Sequence, residues 1–120
     1  MKHYTYTKKD FKEFEKYIHY WINKFGITEW DYEVIHNQLD GSAATTTYNN
    51  KAKIACFQLT VNIEYDFCHQ SDLNKLALHE VIHLLLADFG YVLAETKDQW
   101  SDLVIAHEHA VVMRLLKVIE

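Results

Sequence analysis

The 120-residue sequence contains no proline, only three glycines and only two cysteines, Cys56 and Cys68. Without proline and with so little glycine it has no proline-rich arm, flexible linker or low-complexity tract. Two thiols cannot build the disulfide framework on which small extracellular domains depend, so a reducing, cytoplasmic setting is expected. No apolar run approaches the roughly 18 residues of a membrane helix, and the opening MKHYTYTKKDFKEF is polar where a signal peptide is apolar. Lys8-Lys9 is the largest basic cluster and the net charge is −5, so neither a membrane nor a nucleic acid is an expected partner. There is no Gly-rich phosphate loop, no G-x-S-x-G and no C-x-x-C. Those absences remove nucleotide hydrolysis, serine-esterase chemistry and zinc ribbons.

What is present is core-forming material: 49% of the residues are apolar, enough for one domain over residues 1–120. From Thr7 to Gly26, Phe11, Phe14, Tyr17, Ile18, Trp21, Ile22 and Phe25 recur three and four apart, which predicts an amphipathic helix with one buried face. Thr7 with Asp10 three residues later is a capping-box start, and Gly26 supplies the end. From Trp30 the pattern alternates. Trp30, Tyr32, Val34 and His36 fall on one side, with Asp31, Glu33 and Ile35 on the other, as in a strand. Asp40-Gly41-Ser42 and Asn49-Asn50 are turn signals that bound a Thr-rich segment, Ala43 to Tyr48. A third strand is expected over Ala52 to Ile63, with Ala55, Phe57, Leu59, Val61 and Ile63 on one face. Short turns join antiparallel neighbours, so these three segments are expected to form a meander that is antiparallel at least in part.

Ser71 or Asp72 can cap a helix that runs to Gly90 and is apolar almost all round, which predicts a central position in the fold. A polar connector from Tyr91 to Gln99 leads to a last helix from about Trp100 to Ile119.

Eight histidines stand out, four of them at positions 79, 83, 107 and 109 in these two helices. His79-Glu80-Val81-Ile82-His83 matches H-E-x-x-H in mid-helix, the context the motif requires. Residues four apart share a helix face, so both imidazoles can converge on one zinc ion, while Glu80, about 100° round, can act on a water there. The plainer reading is two hydrogen-bonded core histidines and an unrelated glutamate. A catalytic zinc needs three protein ligands and an open position. The metzincin continuation needs Gly at 86 and His at 89, where the chain has Leu86 and Phe89. The remaining source is His107-Glu108-His109. At about 100° per residue, Glu108 falls within the apolar arc of Trp100, Val104, Val111, Leu115, Val118 and Ile119, with His107 toward its edge and His109 on the solvent side. A carboxylate in an apolar stripe is costly unless it is paired or metal-bound. Glu108 is therefore the leading third ligand. The alternatives are His107 as third ligand, or Glu108 in a buried salt bridge, for example to Arg114. Asp102 could hold a ligand histidine from behind. His3, His19, His36 and His69 read as structural or solvent-facing, Glu95 as part of the polar connector, and Cys68 as a loop thiol.

At this point the chain resembles small single-domain zinc metallopeptidases of the gluzincin type, and is similar to the SprT-like and minimal phage or prophage metallopeptidases. The resemblance is carried by LNKLALHEVIHLLLADFG, the preceding strand KIACFQLTVN and the terminal AHEHAVVMRLL. In element order it covers nearly the whole chain, and the metal helix is its specific part. It implies a zincin-like α+β fold: an N-terminal helix, a small sheet of about three mostly antiparallel strands, a central active-site helix and a C-terminal helix that supplies the third ligand. It also implies one Zn²⁺ per chain held by His79, His83 and Glu108, with Glu80 as general base and a peptide or protein as substrate. The strand before the metal helix, within Ala52 to Ile63, is implied to border the substrate cleft. Some gluzincins follow the ligand glutamate with Ala three or Asp four residues later, where this chain has Val111 and Val112. A rival from another class keeps the same ligands in a zinc-stabilised regulatory or protein-binding module without turnover.

Overall fold

The computed structural model describes residues 2–65 and 72–87, together with Ala110, Val112 and Arg114. The elements are β1 (Lys2–Thr5), α1 (Lys8–Lys24), β2 (Asp31–His36), β3 (Ala44–Asn49), β4 (Ile54–Leu59), β5 (Asn62–Tyr65) and α2 (Leu73–Leu85). Helices and two small sheets make this an α+β arrangement.

α1 begins and ends where its local chemistry directs. The Thr7 hydroxyl accepts from the Asp10 N–H at 3.1 Å, and the Asp10 carboxylate accepts from the Thr7 N–H at 2.9 Å, closing the expected capping box. At the other end Gly26 takes φ +68°, a conformation that disfavours any residue with a Cβ. This lets the Gly26 N–H reach the Asn23 carbonyl at 3.1 Å and the Ile27 N–H the Ile22 carbonyl at 3.0 Å, the paired bonds of a Schellman end. Between the caps, Phe14, Ile18 and Ile22 are fully buried, and Phe11, Tyr17, Trp21 and Phe25 pack around them.

In the three-stranded sheet the order is β2-β4-β3. β4 runs parallel to β2, pairing Asp31 with Ile54 and His36 with Leu59, and antiparallel to β3, pairing Ala44 with Leu59 and Asn49 with Ile54. The expected meander is thereby corrected, because β2 and β3 are consecutive in sequence but do not pair. A central strand is covered on both edges, so the most apolar segment gains most by taking that place. β4 carries Ala55, Phe57 and Leu59, all buried, while the Thr-rich β3 takes an edge. The Asn49 side chain builds the β3–β4 turn by accepting from the N–H groups of Lys51 at 3.0 Å and Ala52 at 2.9 Å.

The run expected as one strand from Ala52 to Ile63 is two, separated at Thr60 and Val61. Buried Thr60 holds the break. Its hydroxyl accepts from the Leu39 N–H at 3.0 Å and donates to the Asn62 carbonyl at 3.1 Å. The Gln38 amide then pairs with the Asn62 backbone as another peptide group would, donating at 2.8 Å and accepting at 3.0 Å. β5 thus leaves the sheet and pairs antiparallel with β1, from Lys2–Tyr65 to Thr5–Asn62, in a second, two-stranded sheet. β1 is too short for its alternation to be read as a strand without that partner.

Tyr6, directly after β1, is only 1% exposed and sits edge-on to Tyr4 with ring centroids 4.9 Å apart. Burial first, then the neighbouring Tyr4 and Asp10, push its hydroxyl from 10.0 up to about 12. Folding therefore favours the protonated phenol. The benefit is complete below pH 10, where both states keep the proton, and is lost as pH rises toward 12 and only the unfolded chain ionises. Chemical denaturation across that window should show a loss of about 3 kcal/mol in the native chain that is absent from Tyr6→Phe. Equal alkaline slopes in the two proteins would contradict it.

α2 starts at Asp72, whose carboxylate accepts from the N–H groups of Asn74 at 3.1 Å and Lys75 at 3.2 Å, and its regular part closes at Leu85 with Leu86 as cap. It packs against α1, where the Trp21 indole donates to the Asn74 side chain at 2.7 Å, and against β3. Leu73, Leu76, Ala77, Val81 and Leu84 join the main core, while Leu78 and Ile82 form a second cluster with Val112. Ala110, Val112 and Arg114 are helical, with Val112 buried and the other two exposed. No helix among the described residues is long and apolar enough to cross a membrane.

Candidate metal centre

Among the mostly buried side chains of α2, His79 and His83 are half-buried and so can be reached from outside. Their ring centroids are 4.9 Å apart with planes tilted by 54°, the spacing of side chains one turn apart on one helix face. Two imidazoles in this relation suit a shared zinc ion, which takes neutral ring nitrogens at about 2.0–2.1 Å.

Glu80 is 6% exposed. The Thr46 hydroxyl, on β3, lies 2.7 Å from its Oε1 and 3.1 Å from its main-chain carbonyl oxygen, so one proton is shared between two acceptors of the same residue. Burial pushes the Glu80 carboxyl from 4.5 up to about 7, against the opposing pull of the Thr46 hydrogen bond. A carboxyl poised there can exchange protons near neutral pH. A cation held by the neighbouring histidines would favour its charged form.

β3, the edge strand, is what packs against Glu80, whereas β4 lies one strand further in. Thr46 is the residue that the motif-based reading missed. It stands 34 positions from Glu80 in a run of threonines, and no spacing rule links the two.

Among the described residues, no three histidine, cysteine, aspartate or glutamate side chains gather into a set able to hold a metal. Glu108, the alternative ligand His107, and His109, Asp102, Glu95, Cys68 and His69 all lie outside the described residues. Arg114, considered above as a partner for Glu108, is exposed. The remaining histidines have local roles. His19 Nδ1 meets the Tyr32 hydroxyl at 2.5 Å. His36 stacks on Phe11 and contacts the Thr60 carbonyl at 3.1 Å, and exposed His3 lies 3.4 Å from Glu64. No family model, curated protein or solved structure matches the chain.

Proposed function

We propose that the protein is a zinc-dependent peptidase of gluzincin type, with α2 as the active-site helix of a zincin-like arrangement. The observation that carries this reading is the convergence on one helix of two reachable imidazoles with a buried carboxyl between them in sequence, held from an edge strand. His79 and His83 would hold the zinc, with Glu108 as third ligand. Support for Glu108 is its place within the apolar stripe of the C-terminal sequence, where a carboxylate is costly unless paired or metal-bound.

When bound in such a site, zinc acidifies a water and polarises a carbonyl. Glu80 would take the proton from that water and return it to the leaving amine. Among the described residues β3 lies at the edge of its sheet, where an extended peptide could add as a further strand through main-chain hydrogen bonds, which favours weak sequence preference.

Metal analysis of the purified protein should find about one zinc per chain. Hydrolysis of an unfolded protein substrate should stop on chelation and return with zinc. Glu108→Ala should weaken zinc binding by at least about tenfold, read by competition with a chelating dye; undiminished affinity would move the third ligand elsewhere. The second reading, a zinc-stabilised module without turnover, draws on the burial of Glu80 and its bond to Thr46, which would equally serve to join α2 to β3. X-ray absorption separates the two. Three protein ligands plus a water favour the peptidase, and four protein ligands favour the module.

A further inference from the structure

We infer that Thr46 is the positioning residue for Glu80, its hydroxyl on the edge strand setting how the carboxyl of the proposed general base is presented. The inference rests on the peptidase reading above. Glutamate has three side-chain rotors, and burial alone does not choose among them. Thr46 can make that choice because it is itself held. It is β-branched, so its first torsion is restricted. It also sits in a strand paired with β4 opposite fully buried Phe57. Its hydroxyl contacts the carboxylate and the main-chain carbonyl of the same residue, at 2.7 and 3.1 Å, and so references the side chain of Glu80 to its own backbone. With Oε1 held, the rotation of the carboxyl about its last side-chain bond is restricted. Losing the hydroxyl would leave Glu80 buried and still a carboxyl, but without a set orientation.

The test compares Thr46→Val, which removes the hydroxyl at similar volume, with Thr46→Ser, which keeps it, in the zinc-loaded full chain. Thr46→Val should lower kcat roughly ten- to hundredfold with KM within about twofold, because misorientation of a reacting group acts on the chemical step. Zinc affinity should be unchanged, and Thr46→Ser should recover most of the loss. Independently of turnover, the carbon-13 resonance of the Glu80 carboxyl in metal-free protein should move in Thr46→Val and return in Thr46→Ser. Should Thr46→Val fail to fold, Thr46→Ala is measured in the same two ways. Wild-type kcat in Thr46→Val, equal losses in both variants or an unmoved Glu80 resonance would overturn the role of Thr46. An inactive wild-type protein with zinc bound is instead the failure of the peptidase reading itself.

Discussion

Glu80→Gln is expected to keep its zinc and to lower hydrolysis by about 10²–10⁴-fold, the usual share of a general base. The amide has the shape of the carboxyl and still offers an oxygen to the Thr46 hydroxyl, so the packing between α2 and β3 survives. What it lacks is the ability to take a proton. The same variant has a second signature in metal-free protein. The carboxyl titrates at about 7 in the fold against 4.5 when unfolded. Below pH 4.5 both states hold the proton and ionisation costs nothing. As pH rises through 7 the unfolded chain gains from ionising first, and the native protein loses about 3 kcal/mol. Glu80→Gln does not titrate and should lack this loss, so the stability difference between the two metal-free proteins should widen between pH 4.5 and 8 in urea titrations. Unchanged turnover would end the role of Glu80 as base, and a pH-independent difference would end the account of its burial.

His79→Ala and His83→Ala should each reduce bound zinc from about one per chain to almost none, since a three-ligand site loses its geometry with any one donor. Both histidines are half-buried on a helix. Alanine is the best helix former, so the metal-free fold should change little, by less than about 1 kcal/mol. The contrast appears when zinc is added. Zinc at about 100 times its Kd stabilises a protein that binds it only when folded by about 2.7 kcal/mol, a rise in thermal midpoint on the order of 10 °C for a chain of this size. The native chain should show that rise and neither variant should. A full complement of zinc in either variant would place the metal elsewhere and remove the basis of the peptidase reading.

Of these two results only the first separates the rival functions. A closed, four-ligand structural site would lose zinc in the histidine variants just as the enzyme would, whereas only an enzyme has turnover for Glu80→Gln to remove. The Glu80–Thr46 contact by itself belongs to both readings, because a buried carboxyl needs a hydrogen-bond donor whether or not it performs chemistry.

Features set by neighbours in sequence were open to reading from the residues. The Thr7–Asp10 box, the apolar stripe of α1, its glycine end, the Asp72 cap and the one-turn spacing of His79 and His83 all follow from helix geometry over a few residues. The alternation that buries Ala55, Phe57 and Leu59 is equally local. Other features depended on competition between distant segments. The placing of β4 between β2 and β3 gave the strand with the buried Ala55, Phe57 and Leu59 face a partner along each edge. The pairing of β1 with β5 joins residues 57 positions apart at Thr5 and Asn62, and the division of Ala52 to Ile63 into two strands was imposed by Thr60 and Gln38 bonding across the break. Thr46 reached Glu80 only because the order of the sheet put β3 on the edge against α2. By itself the sequence determined α1 with both its caps, the start of α2 and the paired imidazoles, since these arise from contacts within a turn or two. Only the tertiary structure decided strand order and the partner of Glu80, since those depend on which distant surfaces bury one another best.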